Sequence, residues 1–181
     1  MARVAWREAG LAGITEHEAV TRDPATRYFE ITPLARVPLL ETDAGMLADT
    51  RDICARFEEL AGRQLLFPPE TPAETELRHV ATGLLDTLAV WLREGARPVS
   101  ERSERVRDYE MLRADRILPW LETRQGAVPG GSFTELTLTC TFDMAARRGL
   151  GPHWQDLAPT LAARCADLAR RPAMQATEPA P

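Results

Sequence analysis

The chain has 181 residues, 44% of them hydrophobic and 27% charged, with a formal net charge of −5. That length suits one large domain or two small ones sharing an interface, and the composition is ordinary for a globular protein. No run reaches the roughly eighteen apolar residues of a membrane helix, no apolar signal segment follows the N-terminus, and no basic stripe offsets the acidic balance. A cytoplasmic protein with neither a membrane nor a nucleic-acid partner is expected. All 22 basic residues are arginine, which reads as codon bias of a GC-rich genome. Cys54, Cys140 and Cys165 share no metal spacing, and His17, His79 and His153 are scattered, so no metal site is expected.

"MARVAWREAG" predicts a short helix ended by Gly10 in a C-cap position. "ITEHEAV" alternates around Ile14, Glu16 and Glu18 and predicts a short strand. "RDPATRYFEITP" is irregular, with room for one helical turn. "RVPLLETD" is strand-like, "AG" supplies a turn, and "MLAD" predicts a second strand antiparallel to the first. From Thr50, the spacing of Ile53, Phe57 and Leu60 predicts a helix running to Gly62. The proline-rich "RQLLFPPETP" follows, and the domain boundary is expected there.

The rest reads as helix. Thr71, Pro72 and Glu74 offer an N-cap, an N1 proline and a capping box. Leu77, Val80, Leu84, Leu88 and Trp91 then mark one face, ending at Gly95. A second long helix is expected from about Ser100 to Gln125, with Val106, Tyr109, Leu112, Ile117 and Leu121 inward and a kink at Pro119. "ELTLTCTFDM" alternates like a strand. Ser132 and Glu135 nevertheless form a capping box, and a lone strand there would leave its backbone unpaired, so helix is the reading. A last helix near Pro159 to Arg170 carries Leu161, Cys165 and Leu168. The fold class is therefore α+β: a small βα domain over residues 1–64, a connection over 65–70, and an all-helical domain over 71–181.

"TPLARVPLLETDAGMLADTRDI" resembles the stretch "NPLGKVPxLxxDDGxxLxESxAI" of bacterial glutathione S-transferases almost position for position. "ARVAWREAGL" resembles the family's first helix. "SFTELTLTCTFD" is similar to the helix opening of its second domain, and "ARRPAMQATEP" to its C-terminal segment. The resemblance implies an incomplete thioredoxin-like domain followed by a helical bundle. It also implies glutathione as co-substrate, a hydrophobic electrophile as second substrate, a detoxifying role and a homodimer. The dimer would form through the helix after Thr50 and the first helix of the second half.

Residue by residue, the resemblance implies a cis-proline at Pro38, whose neighbour Val37 offers its N–H and C=O to the cysteinyl backbone of glutathione, like an added strand. Thr50, with the amides of the helix start, would hold the γ-glutamyl carboxylate. Asp49 would face the ammonium group, and Arg36 would reach the glycyl carboxylate. The family has Glu-Ser where this chain has Asp-Thr. Read without the resemblance, Asp49 or Thr50 could simply cap a helix and Pro38 could be a strand-edge proline. The family begins with a β-strand ending in an activating Ser, Tyr or Cys. Here Met1 stands at the first helix, so the catalytic residue is unknown and the expected true start lies about fifteen to twenty residues upstream. Two alternatives accompany the transferase: a non-catalytic adaptor on the same fold, and a glutathione-dependent isomerase, dehalogenase or reductase.

Overall fold

The computed structural model describes residues 1–21, 23–64 and 66–178; Arg22, Leu65 and residues 179–181 lie outside the described residues. The chain forms two compact units, Met1–Leu65 and Leu66–Pro181.

In the first unit, α1 (Ala2–Ala9) buries Val4, Ala5 and Ala9 and packs on α2 (Thr50–Ala61), which buries Ile53, Cys54 and Phe57. Both helices end on a glycine in the left-handed region, Gly10 at φ 68° and Gly62 at φ 65°, where a side chain would be strained. Arg63, just past α2, donates to the Glu8 and Ala9 carbonyls at 3.1 Å each. It thereby satisfies acceptors that the end of α1 leaves open. Between the helices lie a 3-10 turn at Arg27–Glu30 and a hairpin of β1 (Leu40–Thr42) and β2 (Gly45–Leu47). The strands are shorter than the sequence suggests: the extended stretch before Leu40 does not pair, and β2 starts at Gly45 and ends at Leu47.

The strand expected over "ITEHEAV" does not form. Its alternation sets Ile14, Glu16 and Glu18 on one side, which is no apolar face. Among the described residues no strand runs beside it, and Glu16 is instead drawn into ion pairs with Arg3 and Arg7 of α1. A strand needs a ladder partner for its backbone groups, and here none is supplied.

The second unit is helical: α3 (Pro72–Gly95), α4 (Glu104–Glu122), α5 (Phe133–Arg147), α6 (Gly151–Leu157), α7 (Pro159–Ala169) and α8 (Pro172–Gln175). Its start is fixed as the sequence implies. The Thr71 hydroxyl accepts from the Glu74 amide, and the Glu74 carboxylate accepts from the Thr71 amide at 2.7 Å. The segment before it is no free linker. Leu66 is buried, its carbonyl accepts from Phe133 N at 2.7 Å, and Phe67 stacks on Phe133. Leu84 and Leu88 of α3, Leu118 and Leu121 of α4, Leu138 of α5 and Trp154 of α6 lie at the centre of the core. Trp154 meets Phe142 edge to face, with ring centroids 5.3 Å apart, the arrangement aromatic quadrupoles favour.

The ambiguous "ELTLTCTFDM" is helical and almost wholly buried as α5. Its threonines satisfy their hydroxyls within the helix: Thr137, Thr139 and Thr141 each donate to the carbonyl four residues back, at 2.6–2.8 Å. Alternating threonine is thus compatible with burial without a sheet. The capping box is only half formed. Ser132 Oγ accepts from Glu135 N, but the Glu135 carboxylate takes the Gly131 amide at 2.7 Å instead of that of Ser132. The inward face of α4 also differs. Glu110, Ala114, Leu118 and Leu121 are buried, whereas Val106, Tyr109 and Leu112 are exposed. At about 100° per residue, Tyr109 and Leu112 fall on the far side of the helix from Leu118.

Candidate functional site

The hairpin decides which of the predicted site residues meet. Its register pairs Leu40 with Leu47, Glu41 with Met46 and Thr42 with Gly45. Pro38 lies two residues before the Leu40–Leu47 pair and Asp49 two residues after it, so the segment carrying Val37 and Pro38 and the start of α2 continue from the same end of the hairpin. Residues far apart in the quoted motif therefore arrive at one end of the hairpin, where α2 begins.

Val37 is exposed and its bond to Pro38 is cis. Among the described residues, neither the N–H nor the C=O of Val37 has a hydrogen-bond partner. An exposed donor and acceptor on one residue form a ledge to which an extended chain can pair. The preceding segment is held firmly. Thr32 N donates to the Tyr28 carbonyl, Leu34 N to the Thr32 hydroxyl and Ala35 N to the Thr32 carbonyl. Ala35 is buried at φ 42°, and the Tyr28 hydroxyl donates to the Arg36 carbonyl at 3.0 Å. The Arg36 side chain is exposed.

Asp49 is the N-cap of α2. Its Oδ1 accepts from the amides of Arg51 at 2.8 Å and Asp52 at 3.2 Å, and its carbonyl accepts from Ile53 N. The helix-capping role weighed in the sequence is thus realised, and it leaves less for a ligand than the motif suggests. Two of the first amides are taken by Asp49 itself. Among the described residues, the Thr50 amide and hydroxyl, and the second Asp49 oxygen, keep no partner. The positive end of the α2 dipole remains behind Thr50. The arrangement can hold an anion at Thr50, a cation at Asp49 and a peptide backbone at Val37.

The sequence did not single out Tyr28. It carries no motif signal, since a tyrosine in an irregular stretch reads as packing until its hydroxyl is seen to span eight residues to the Arg36 carbonyl.

Residues 1–66 match the family model described as the glutathione S-transferase N-terminal domain. In sequence, the chain is 26% identical over 161 residues to the uncharacterized GST-like protein YibF of Escherichia coli K12, covering 83% of this chain and 78% of that protein. In structure, it superposes on a glutathione S-transferase of Methylobacillus flagellatus with glutathione bound, at a TM-score of 0.84 and 21% identity. That match covers 98% of this chain and 92% of the other. A glutathione transferase family member of Pseudomonas fluorescens Pf-5 with bound glutathione matches at 0.82 and 24% identity, over 99% and 92%. The N-terminal unit is thus similar to the glutathione S-transferase N-terminal domain, and the whole chain carries the fold of these structures: a thioredoxin-like domain followed by a helical one.

Proposed function

We propose that the chain is a glutathione transferase whose N-terminal unit binds glutathione at the hairpin end. The Val37 N–H and C=O pair with the cysteinyl backbone as an added strand would. The Thr50 amide and hydroxyl hold the γ-glutamyl carboxylate at the start of α2. The second Asp49 oxygen takes the ammonium group, and Arg36 reaches the glycyl carboxylate. The bound thiolate then attacks a hydrophobic electrophile in a cytoplasmic homodimer with a detoxifying role: the carbon–sulfur bond forms as the bond from that carbon to a leaving group such as halide breaks, and the halide departs with the bonding electron pair. The group that activates the thiol is not assigned to any residue of this chain.

One observation carries this reading: among the described residues, the Val37 N–H and C=O and the Thr50 amide and hydroxyl, which continue from the same end of the hairpin, have no hydrogen-bond partner. The glutathione found in the Methylobacillus and Pseudomonas structures supports the same choice of ligand. Titration with reduced glutathione in a thermal-unfolding assay tests the binding step, with about 2.7 kcal/mol of stabilisation expected at a hundred times Kd. Release of halide from an activated aryl halide tests the transfer step. Binding without turnover would favour a non-catalytic adaptor, and no stabilisation at any concentration up to tens of millimolar would sink the assignment.

A further inference from the structure

We infer that Tyr28 is a positioning residue for the peptide-binding ledge, holding the Arg36–Val37 peptide unit so that the Val37 N–H faces the ligand. The inference rests on the glutathione reading and deepens it. The Tyr28 hydroxyl donates to the Arg36 carbonyl at 3.0 Å. That carbonyl belongs to the same peptide unit as the Val37 N–H, because the plane C–O–N–H spans both residues. Fixing the oxygen therefore fixes the direction of the N–H on its opposite side. A carbonyl held from one side leaves the N–H pointing away from Tyr28.

The surroundings show why the ring itself stays in place. Tyr28 is 9% exposed, within the 3-10 turn Arg27–Glu30. The turn is capped by the Thr26 hydroxyl, which accepts from Tyr28 N at 3.2 Å and donates to the Val20 carbonyl at 2.7 Å. Tyr28 thus reaches Arg36 from an anchored base and braces a loop whose outer residues, Leu34, Arg36 and Val37, are exposed. Burial pushes the phenol above its ordinary pKa, so it stays protonated and able to donate at neutral pH. The ledge would otherwise be a solvent-exposed peptide with freedom to rotate. Binding would then have to meet the entropy of ordering it.

The test compares the wild type, Y28F and a variant with 4-aminophenylalanine in place of Tyr28, whose N–H can replace the lost donor. Glutathione affinity is measured by calorimetry, and the Val37 and Thr50 amide signals are followed by two-dimensional NMR during the titration. Loss of one hydrogen bond predicts a roughly three- to tenfold weaker Kd in Y28F. The Val37 amide should lose most of its glutathione-induced shift while Thr50 keeps its own, and the amino variant should restore both affinity and the Val37 shift. A purely structural tyrosine would move both amides together or neither. Wild-type binding with Y28F unchanged in Kd and in the Val37 shift overturns the positioning role alone. Absence of binding by the wild type overturns the glutathione reading along with it.

Discussion

Arg164 of α7 and Glu135 in the first turn of α5 form the most buried ion pair described, with Nη2 to Oε1 at 2.5 Å and the Glu135 side chain only 7% exposed. The pair is not isolated. Glu135 also accepts from the Gly131 amide, Arg164 donates to the Gln125 and Val128 carbonyls, and Arg171 stands 3.7 Å from the carboxylate. One guanidinium thus ties α7 to the start of α5 and to the loop before it. Removing one partner of a buried pair strands the other charge, at a cost of about 3–5 kcal/mol. Arg164→Ala should therefore lower unfolding stability by about 3 kcal/mol, toward the low end because Arg171 stays near Glu135. Urea denaturation measures it, and a loss under about 1 kcal/mol would show the pair to be dispensable.

Glu122 predicts a pH dependence. Its carboxylate, at the end of α4, accepts from Thr160 N and Leu161 N at 2.9 Å each, capping α7 from another helix. Burial alone would raise its pKa, but the hydrogen bonds from Thr160 and Leu161 outweigh it and leave the group below its ordinary 4.5. A carboxyl with a depressed folded-state pKa stabilises fully above its unfolded pKa, and the contribution disappears as pH falls through the folded value. Glu122→Gln should thus be less stable than the wild type at pH 7, by about 1 kcal/mol in line with other lost caps. The difference should narrow steadily below pH 4.5. A gap that is constant from pH 7 to 3 would contradict the charge-based cap.

Asp49 separates capping from ligand binding. Asparagine at this position still accepts the Arg51 and Asp52 amides, so Asp49→Asn should change stability by only a few tenths of a kcal/mol, whereas Asp49→Ala should cost about 1 kcal/mol. If the second carboxylate oxygen meets the ligand ammonium, Asp49→Asn should weaken glutathione by about tenfold despite the intact cap. Equal glutathione affinity in Asp49→Asn and wild type, measured by calorimetry, would confine this residue to the helix start.

Thr87 offers a stabilising change. Its side chain is 2% exposed in the middle of α3, and its Oγ1 is buried with no hydrogen-bond partner among the described residues. A buried hydroxyl left unpaired costs about 1–3 kcal/mol. Valine keeps the branched shape without it, so Thr87→Val should raise the urea midpoint. A lowered midpoint would mean the hydroxyl has a partner after all.

Local chemistry was readable in the sequence wherever a residue type answers a specific backbone need. Gly10 and Gly62 sit in left-handed caps, Thr71 with Glu74 closes a capping box, and Ser132 opens α5, all as their types and spacing imply. What failed depended on the partner an element meets. The "ITEHEAV" stretch has strand rhythm but, among the described residues, no neighbour to pair with. In α4, hydrophobicity pointed to Val106, Tyr109 and Leu112, yet the side facing the core runs through Glu110, Ala114 and Leu118. Neither α6 nor α8 was anticipated, each being too short for a periodic pattern to emerge. At the site, the sequence offered Asp49 both as a helix cap and as a ligand contact, but not how its two oxygens divide between them, because that depends on the geometry at the start of α2.

The link between β1 and β2 is only Asp43 and Ala44. An added residue there would slide one strand past the other by about 3.3 Å and turn its side chains over. The segments that continue from Leu40 toward Val37 and from Leu47 toward Thr50 would then shift relative to one another. Substitutions at this bend should be tolerated freely while insertions and deletions are not, so in any collection of natural variants the spacing from Val37 to Thr50 should be far more constant than the residues that fill it.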